Sequence, residues 1–192
     1  RCRYGIGYSD IAVGKRKSIY RRLFRRLGIR IFYRAACRRC RGGMVRRQDA
    51  IFDFWNKDLF SVLYLSGIIV NPTHQGKGIS SSLLGMVMED FNPQFLAART
   101  QSPVMYESIM RSCKQVYPNV KCSPPADIVE AGRFVAQDKL GMSTYDPESM
   151  LGVGTYGNCL YGKEPVSKTD TVEHWFKETI NLQRGDAMIV IG

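Results

Sequence analysis

The chain has 192 residues, enough for one domain with a sizeable core, and 44% of them are hydrophobic. That composition excludes a disordered chain, a collagen and a disulfide-held miniprotein, and no apolar run reaches the roughly 18 to 20 residues of a membrane span. The net charge of +11 is concentrated in residues 1–47, which hold 16 Lys/Arg and one acid, whereas residues 48–192 hold 12 Lys/Arg and 16 acids.

The first third of the chain predicts a strand followed by helices. Glycines and β-forming residues over 4–13 favour a strand beside a turn. Over 18–39, apolar residues recur four apart with arginines between them, which predicts a helix with a basic opposite face. We also expect a short helix over 49–60, where aromatic residues are frequent.

Strands and helices alternate through the middle of the chain. The strongest strand signal covers 59–70, and a glycine-bearing loop at 74–78 and a helix at 80–89 follow it. A strand at 95–100 and a helix at 103–116 complete the unit. This order indicates a sheet with helices packed on it.

The last third predicts two more helices and a closing strand. We expect a helix at 127–140, loops and short strands over 141–168, a helix at 169–182 and a strand at 187–191. No linker divides the chain into independent domains. Residues 1–47 are therefore interpreted as a basic strand and helix segment of the same domain, and 48–192 as its core.

The stretch most informative about function joins the strand at 59–70 to the helix at 80–89. Backbone N–H groups at a helix N-terminus are unpaired and carry partial positive charge, so phosphates bind there. The missing side chains of Gly76 and Gly78 let a ligand approach the backbone, and Lys77 adds charge. The patterns G-x-G-x-x-G and G-x-x-x-x-G-K-[ST] are both absent. The loop therefore predicts a pyrophosphate site outside those two nucleotide-binding families.

This stretch resembles the acetyl-CoA signature of the GNAT acetyltransferases, Q/R-x-x-G-x-G/A after a hydrophobic strand with a Val-x-Pro-like end. Gln75, Gly78 and Ser80 stand at its three positions, with Ser80 in place of the usual glycine or alanine. The resemblance implies an α/β (α+β) fold, a mixed and largely antiparallel twisted sheet with helices on both faces, splayed between the strands at 62–70 and 95–100. The N-terminal part is atypical, because it is too short for the family's usual elements.

The resemblance also implies an activity, the direct transfer of an acetyl group from acetyl-CoA to an amine, without a metal. Backbone groups near the strand end would polarise the thioester carbonyl, and the loop backbone would hold the pyrophosphate. Tyr106 is the candidate general acid for the departing thiolate, and Tyr117 is a weaker rival. The implied cofactor-binding residues are Ile69, Val70, Gln75, Gly76, Lys77, Gly78, Ile79 and Ser80.

The acceptor amine and the general base do not follow from the sequence. Asp53 and Asp58 precede the signature strand and are within reach of it, and His74 lies in the loop, where a solvent-facing position is expected. Catalysis by positioning alone, with water relaying the proton, is also compatible.

The basic segment supports an alternative function of a different class. Arginines interleaved with aromatic residues over 15–47 suit phosphate contacts and base stacking. The protein would then be a catalytically silent GNAT-like scaffold that binds RNA or a ribonucleoprotein. Three other interpretations explain the same charge. The segment could be a basic helix on an anionic membrane surface, a helix that exposes its arginines to water, or a region that attracts an acidic acceptor substrate.

The cysteines favour reduced thiols rather than a disulfide scaffold or a metal site. Cys37 and Cys40 have half of a zinc ribbon's spacing, but no second C-x-x-C follows. We therefore expect no metal and a reducing compartment, the cytoplasm or an organellar matrix. The oligomeric state stays open.

Overall fold

A seven-stranded mixed sheet organises the residues that the computed structural model describes, 30–34, 49–57, 59–68, 70 and 75–192. The strands are β1 (Arg30–Arg34), β2 (Asp49–Lys57), β3 (Phe60–Ile68), β4 (Phe95–Thr100), β5 (Tyr145–Asp146), β6 (Leu151–Gly152) and β7 (Ala187–Ile191). The helices are α1 (Ile79–Phe91), α2 (Pro103–Met110), α3 (Ala126–Arg133), which continues as a π-helix over Phe134–Lys139, and α4 (Asp170–Thr179).

The strand order is β1-β2-β3-β4-β7-β6-β5. The pairs β1–β2 and β3–β4 are parallel, and the other four neighbouring pairs are antiparallel. The predicted mixed and largely antiparallel sheet is therefore confirmed. The parallel pair β3–β4 is joined by α1, because parallel neighbours need a crossover connection.

Hydrophobic cores lie on both faces of this sheet. Alternate residues of a strand point to opposite faces, so Leu63 and Leu65 pack with α1, α2 and α4, whereas Val62 and Tyr64 pack with α3 and the π-helix. We call these the α1 face and the α3 face. The helices thus cover both sides of the sheet, and none in the described part is long and apolar enough to cross a membrane.

Most elements after residue 59 lie where the sequence predicts them. The strands β4 and β7 have the predicted bounds, and β3, α1 and the helical run formed by α3 and the π-helix differ only at their ends. The helix α2 is shorter than predicted, because the chain leaves it to pair Tyr117 with Ile191 of β7. The helix α4 also ends early, before the turn that leads into β7.

Two predicted helices are wrong. Asp49–Lys57 forms β2, in which Phe52 and Phe54 pack on the α1 face and Trp55 on the α3 face. Helices cover both faces, so apolar residues occur at consecutive positions and the period of two is hidden.

The helix predicted at 18–39 is also wrong where the structure describes it. Arg30–Arg34 forms β1 and pairs in parallel with β2. Its three central residues, Ile-Phe-Tyr, are β-branched or aromatic and favour a strand. The rest of 18–39, the strand predicted at 4–13 and the pair Cys37 and Cys40 lie outside the described residues.

Candidate functional site

The sheet is interrupted at the carboxyl ends of β3 and β4. Their parallel pairing begins at Val62–Phe95 and ends at Leu65–Ala98. The strand β3 continues to Ile68 and stays paired with β2, and β4 continues to Thr100 and stays paired with β7. We call the space between residues 66–68 and 99–100 the β3–β4 gap. It leaves two strand edges facing each other in the middle of the sheet.

A β-bulge in β3 accounts for this gap. The pairing with β2 passes from Phe52–Leu65 to Ile51–Gly67, so Ser66 is an extra residue of β3. A bulge bends its strand and increases the local twist. The bulge thus lies directly after the last pair that β3 shares with β4.

Two glycines with positive φ shape the loop that leads from β3 into α1. The φ angles are 77° at Gly76 and 72° at Gly78, in the left-handed region that glycine adopts without strain. Among the described residues, nothing lies within 4 Å of a Cβ built on either glycine, so none of these residues packs against the backbone there. The Gln75 side-chain amide donates to the Val70 carbonyl at 3.0 Å and ties the two ends of the loop together.

The first turn of α1 lacks a side-chain cap among the described residues. Gly78 is the N-cap residue, and the first turn contains no acidic side chain. The first helical hydrogen bond runs from Ser82 N–H to the Gly78 carbonyl at 2.9 Å. The N–H groups of 79–81 are thus available at the helix end, where the helix dipole favours an anion. The exposed Lys77 adds a positive charge beside them.

The structure brings most of the predicted cofactor-binding residues to one edge of the sheet. Val70 and residues 75–78 lie in the connection between β3 and α1, and Ile79 and Ser80 are the first two residues of α1. Ile69, Asp58 and His74 lie outside the described residues.

Tyr106, the predicted general acid, is part of the hydrophobic core on the α1 face. Its side chain is 2% exposed, and its ring packs against Trp175 and Phe176 of α4. Its hydroxyl donates to the Pro118 carbonyl at 2.8 Å, and burial raises its pKa to about 12. This geometry argues against the predicted role, because the proton is already bonded to a carbonyl of the chain. The rival Tyr117 is also buried, and it packs on the α3 face.

A polar cluster on the α3 face of the gap was not recognised from the sequence, apart from Asp53. The Ser66 hydroxyl donates to Asp53 Oδ2 at 2.6 Å. Arg99 Nε donates to the Tyr156 hydroxyl at 2.9 Å, and the guanidinium carbon lies 4.6 Å from the ring centre. Tyr64 lies between these two pairs. We call the five residues, Asp53, Tyr64, Ser66, Arg99 and Tyr156, the gap cluster.

The Tyr64 hydroxyl is influenced by the charges of the gap cluster. Burial is the main reason why its pKa is raised to about 12, and the charge of Arg99 offsets part of that rise. The charges of Tyr156 and Asp53 raise it further. Tyr64 therefore stays protonated at neutral pH and is able both to donate and to accept a hydrogen bond.

The buried side chain of Gln101 holds the Tyr156 loop, residues 153–161, at the end of β4. Its Nε2 donates to the carbonyls of Asp186 at 2.9 Å and Asn158 at 3.3 Å. Its Oε1 accepts from Leu160 N–H at 3.0 Å. Both N–H groups of this amide and one lone pair of its oxygen are thus used in hydrogen bonds within the chain.

Asp186 anchors the other end of the same loop. It is fully buried and accepts hydrogen bonds from Gly154 N–H at 2.9 Å and Asn181 N–H at 3.1 Å. Arg184 donates to both of its oxygens, at 2.7 Å and 2.6 Å. The hydrogen bonds from Arg184 lower the pKa of Asp186 despite its burial. The loop that carries Tyr156 is therefore fixed at both ends beside the gap.

A cavity of about 450 Å³ lies beyond Gln101 and Pro103, between the end of α4 and the turn before β7, away from the glycine loop. Residues that the structure describes include no group of three His, Cys, Asp or Glu able to hold a metal ion.

Comparison of the chain with protein-family models, with curated proteins and with solved structures found no match. The chemistry of the site therefore has to be inferred from its own geometry.

Proposed function

We propose that this protein is an acetyl-CoA-dependent N-acetyltransferase that resembles the GNAT enzymes. The observation that carries the proposal is the position of the uncapped N-terminus of α1 at the same sheet edge as the β3–β4 gap. The first feature suits a diphosphate, and the second suits an extended chain with amide groups. Acetyl-CoA carries both groups, joined through its pantetheine arm.

The gap favours the pantetheine arm because its edges are unpaired strands. An extended ligand with amide groups binds such edges as an added strand would, through main-chain hydrogen bonds. The three residues of β3 beyond Leu65 and the two of β4 beyond Ala98 supply these edges. The thioester would then lie beside the gap cluster.

The diphosphate would bind at the other end of the ligand, over residues 76–81. The missing side chains of Gly76 and Gly78 let phosphate oxygens approach the backbone closely. The free N–H groups and the dipole of α1 complement the negative charge of the diphosphate, and Lys77 supplies a further positive charge.

The reaction moves one acetyl group and releases one proton to water. The acceptor ammonium first loses a proton to solvent, which frees the nitrogen lone pair for attack on the thioester carbonyl carbon. The C–N bond forms and the C–S bond breaks, and the sulfur keeps the bonding electron pair. The second proton passes from the attacking nitrogen to the departing thiolate, so the products are an amide and free CoA.

The test is CoA binding to two arginine variants, measured by thermal shift and titration calorimetry. Gly78→Arg places a long side chain in the loop. Gly141→Arg is the matched control, because Gly141 also has a positive φ of 66° and nothing within 4 Å of a built Cβ, but lies beyond the π-helix. Both variants therefore add the same charge and a comparable backbone strain.

We expect CoA and acetyl-CoA to stabilise the native protein and Gly141→Arg equally. Gly78→Arg should bind them at least about tenfold more weakly, since it obstructs the phosphate site. Pantetheine, which lacks the diphosphate, should be far less sensitive to Gly78→Arg. The proposal is overturned if CoA does not stabilise the native protein, or if Gly78→Arg binds it as the control does.

A further inference from the structure

We infer that the acceptor is an amine that also carries an anionic group, such as a carboxylate or a phosphate, and that it binds between Asp53 and Arg99 of the gap cluster. This inference rests on the proposed transferase function and names the substrate class for the same site. It follows from the charges, their spacing and the access to the gap.

Asp53 and Arg99 are opposite charges that form no ion pair among the side chains that the structure describes, although the strand register places Arg34 of β1, whose side chain lies outside that description, opposite Asp53. Asp53 accepts a hydrogen bond from the Ser66 hydroxyl but forms no ion pair with a described side chain, and Arg99 bonds to Tyr156 without a carboxylate. Both residues are partly buried. A partly buried charge without a counter-charge is costly, so an anionic group on the ligand relieves this cost at Arg99, and the amine of the same ligand is attracted to the carboxylate of Asp53.

The two charges lie on the strands that flank β3. Asp53 of β2 is paired with Tyr64, and Arg99 lies two residues beyond Ala97, the β4 partner of Tyr64. Neighbouring strands are about 4.8 Å apart, so β2 and β4 are separated by about 10 Å. The Asp53 carboxylate reaches towards β3, because it accepts the hydrogen bond from Ser66 of that strand, and Arg99 is held beside the gap by Tyr156. A small ligand with its amine and anion a few bonds apart fits between them.

On the α3 face the approach to the gap lies at Ser66, beside the buried Tyr64 and the Tyr156 loop. On the α1 face, α1, α2 and α4 pack against the sheet. On the α3 face, α3 and the π-helix cover residues such as Val62 and Phe95 towards the amino ends of β3 and β4. Ser66, farther along β3, is exposed. An acceptor coming from this side meets the gap cluster before it reaches the thioester.

The arrangement assigns a role to each charged member of the gap cluster. Asp53 attracts the amine and holds it over the bulge at Ser66, next to the gap in which the thioester would lie. The terminal nitrogens of Arg99 bind the anionic group, because Nε and the guanidinium face are already engaged by Tyr156. Tyr64, which is 4% exposed, forms the buried floor between them.

The experiment compares acetylation of matched amines by the full chain, followed by release of the CoA thiol. Phosphoethanolamine is compared with ethanolamine, and phenylalanine with phenethylamine. For the native protein we expect kcat/KM to be at least about tenfold higher for the anionic member of each pair. Arg99→Gln should abolish this preference mainly through a higher KM, and Arg99→Lys should restore part of it. Asp53→Asn should lower kcat/KM for all four amines.

Three controls separate recognition from folding. Tyr156→Phe removes the hydrogen bond to Arg99 but keeps the charge, so it should keep the preference. Arg133→Gln removes an exposed arginine of α3 and should change nothing. CoA affinity is measured for every variant and should equal that of the native protein.

The outcomes distinguish this inference from the proposed function. Failure of the native protein to bind CoA overturns both. If CoA binds normally, three results would overturn the inference and leave the proposed function standing. They are that neither anionic amine is acetylated, that the amines without an anionic group are preferred, or that Arg99→Gln keeps the preference. The inference is also overturned if Tyr156→Phe abolishes the preference as fully as Arg99→Gln, since loop position would then explain the effect.

Discussion

Glu107 is a buried carboxylate that connects α2 to the start of α4. It is 7% exposed, and it accepts a hydrogen bond from the Ser167 hydroxyl at 2.6 Å. Burial acts to raise its pKa, but hydrogen bonds from Ser167 and Thr169, together with the charge of Arg111, outweigh it and hold the pKa below the usual value. The ionised form of Glu107 is therefore the one that stabilises the fold.

This lowered pKa predicts an acid-dependent loss of stability. A carboxyl with a lower pKa in the folded state stabilises the protein above its unfolded pKa, near 4.5, and the stabilisation is lost as the pH falls through the folded pKa. Glu107→Gln should reduce the free energy of unfolding at pH 7 by about 1–3 kcal/mol, and less at pH 3. Urea denaturation at both pH values measures this. The exposed Glu148→Gln is the control, and an equal loss at both pH values for Glu107→Gln would contradict the prediction.

The Tyr145 hydroxyl, unlike the Glu107 carboxylate, is a buried polar group without a hydrogen-bond partner in the described part of the chain. Its oxygen has no hydrogen bond in the described structure, whereas the hydroxyl of Tyr106 is bonded to the Pro118 carbonyl. Tyr145→Phe should leave stability unchanged or raise it by up to about 1 kcal/mol, and Tyr106→Phe should lower it by about 1–2 kcal/mol. Urea denaturation of both variants gives the comparison. A loss at Tyr145 as large as that at Tyr106 would show that the hydroxyl has a partner.

At the scale of elements, the unit β3–α1–β4 was predictable because its signals are local. A continuous apolar run, two glycines and a helical pattern follow one another within 40 or so residues. β2 was not predictable in this way, since Phe54 and Trp55 are consecutive apolar residues that pack on opposite faces.

The candidate site also has one part that the sequence predicts and one part that it does not. The glycine loop could be read from the sequence, because helix N-termini and glycines have local signatures. The gap cluster could not, because Arg99 and Tyr156 are 57 positions apart, and the contact of Gln101 with Asp186 spans 85 positions. The extra residue Ser66 is visible only when β2 and β3 are paired.

Asp186 joins the Tyr156 loop to the turn before β7, and its removal should destabilise both. It is fully buried and accepts hydrogen bonds from the Tyr156 loop, from the turn before β7 and from Arg184. Arg184 is half exposed, so the main loss is that of the hydrogen bonds that the buried carboxylate accepts from Gly154 and Asn181. Hydrogen bonds to charged groups contribute about 1.5–3 kcal/mol, so Asp186→Ala should lower the free energy of unfolding by that order. It should also speed proteolysis within 153–161 under native conditions. The exposed Asp138→Ala is the control, and a loss below about 1 kcal/mol at Asp186 would contradict the prediction.

At the scale of the whole molecule, much of the positive charge precedes the first described strand. Residues 1–29 hold nine Lys/Arg and one acid, a net +8, so removing them would leave 11 − 8 = +3. The truncation ends before β1, and the glycine loop and the gap cluster lie after it. The basic segment and the candidate transferase site therefore allow independent tests.

Deletion of 1–29 should weaken polyanion binding and leave CoA binding intact. Binding through phosphate contacts falls steeply with salt, so the full chain should elute from heparin at a higher salt concentration than the truncated one. Calorimetry should give both proteins the same CoA affinity. Equal elution would exclude a polyanion-binding role for 1–29, and a loss of CoA binding would show that this segment belongs to the cofactor site.

Because the bulge consists of the single extra residue Ser66, the insertion or deletion of one codon would be enough to create or remove such a site. Ile68 packs on the α1 face beside Leu65, so the side chains beyond the bulge already face as they would if Ser66 were absent. Deleting that one codon would align β2 with β3 throughout and would leave the apolar residues of β3 on their present sides. Homologous chains that differ by one residue here would share a core and differ in whether the sheet opens.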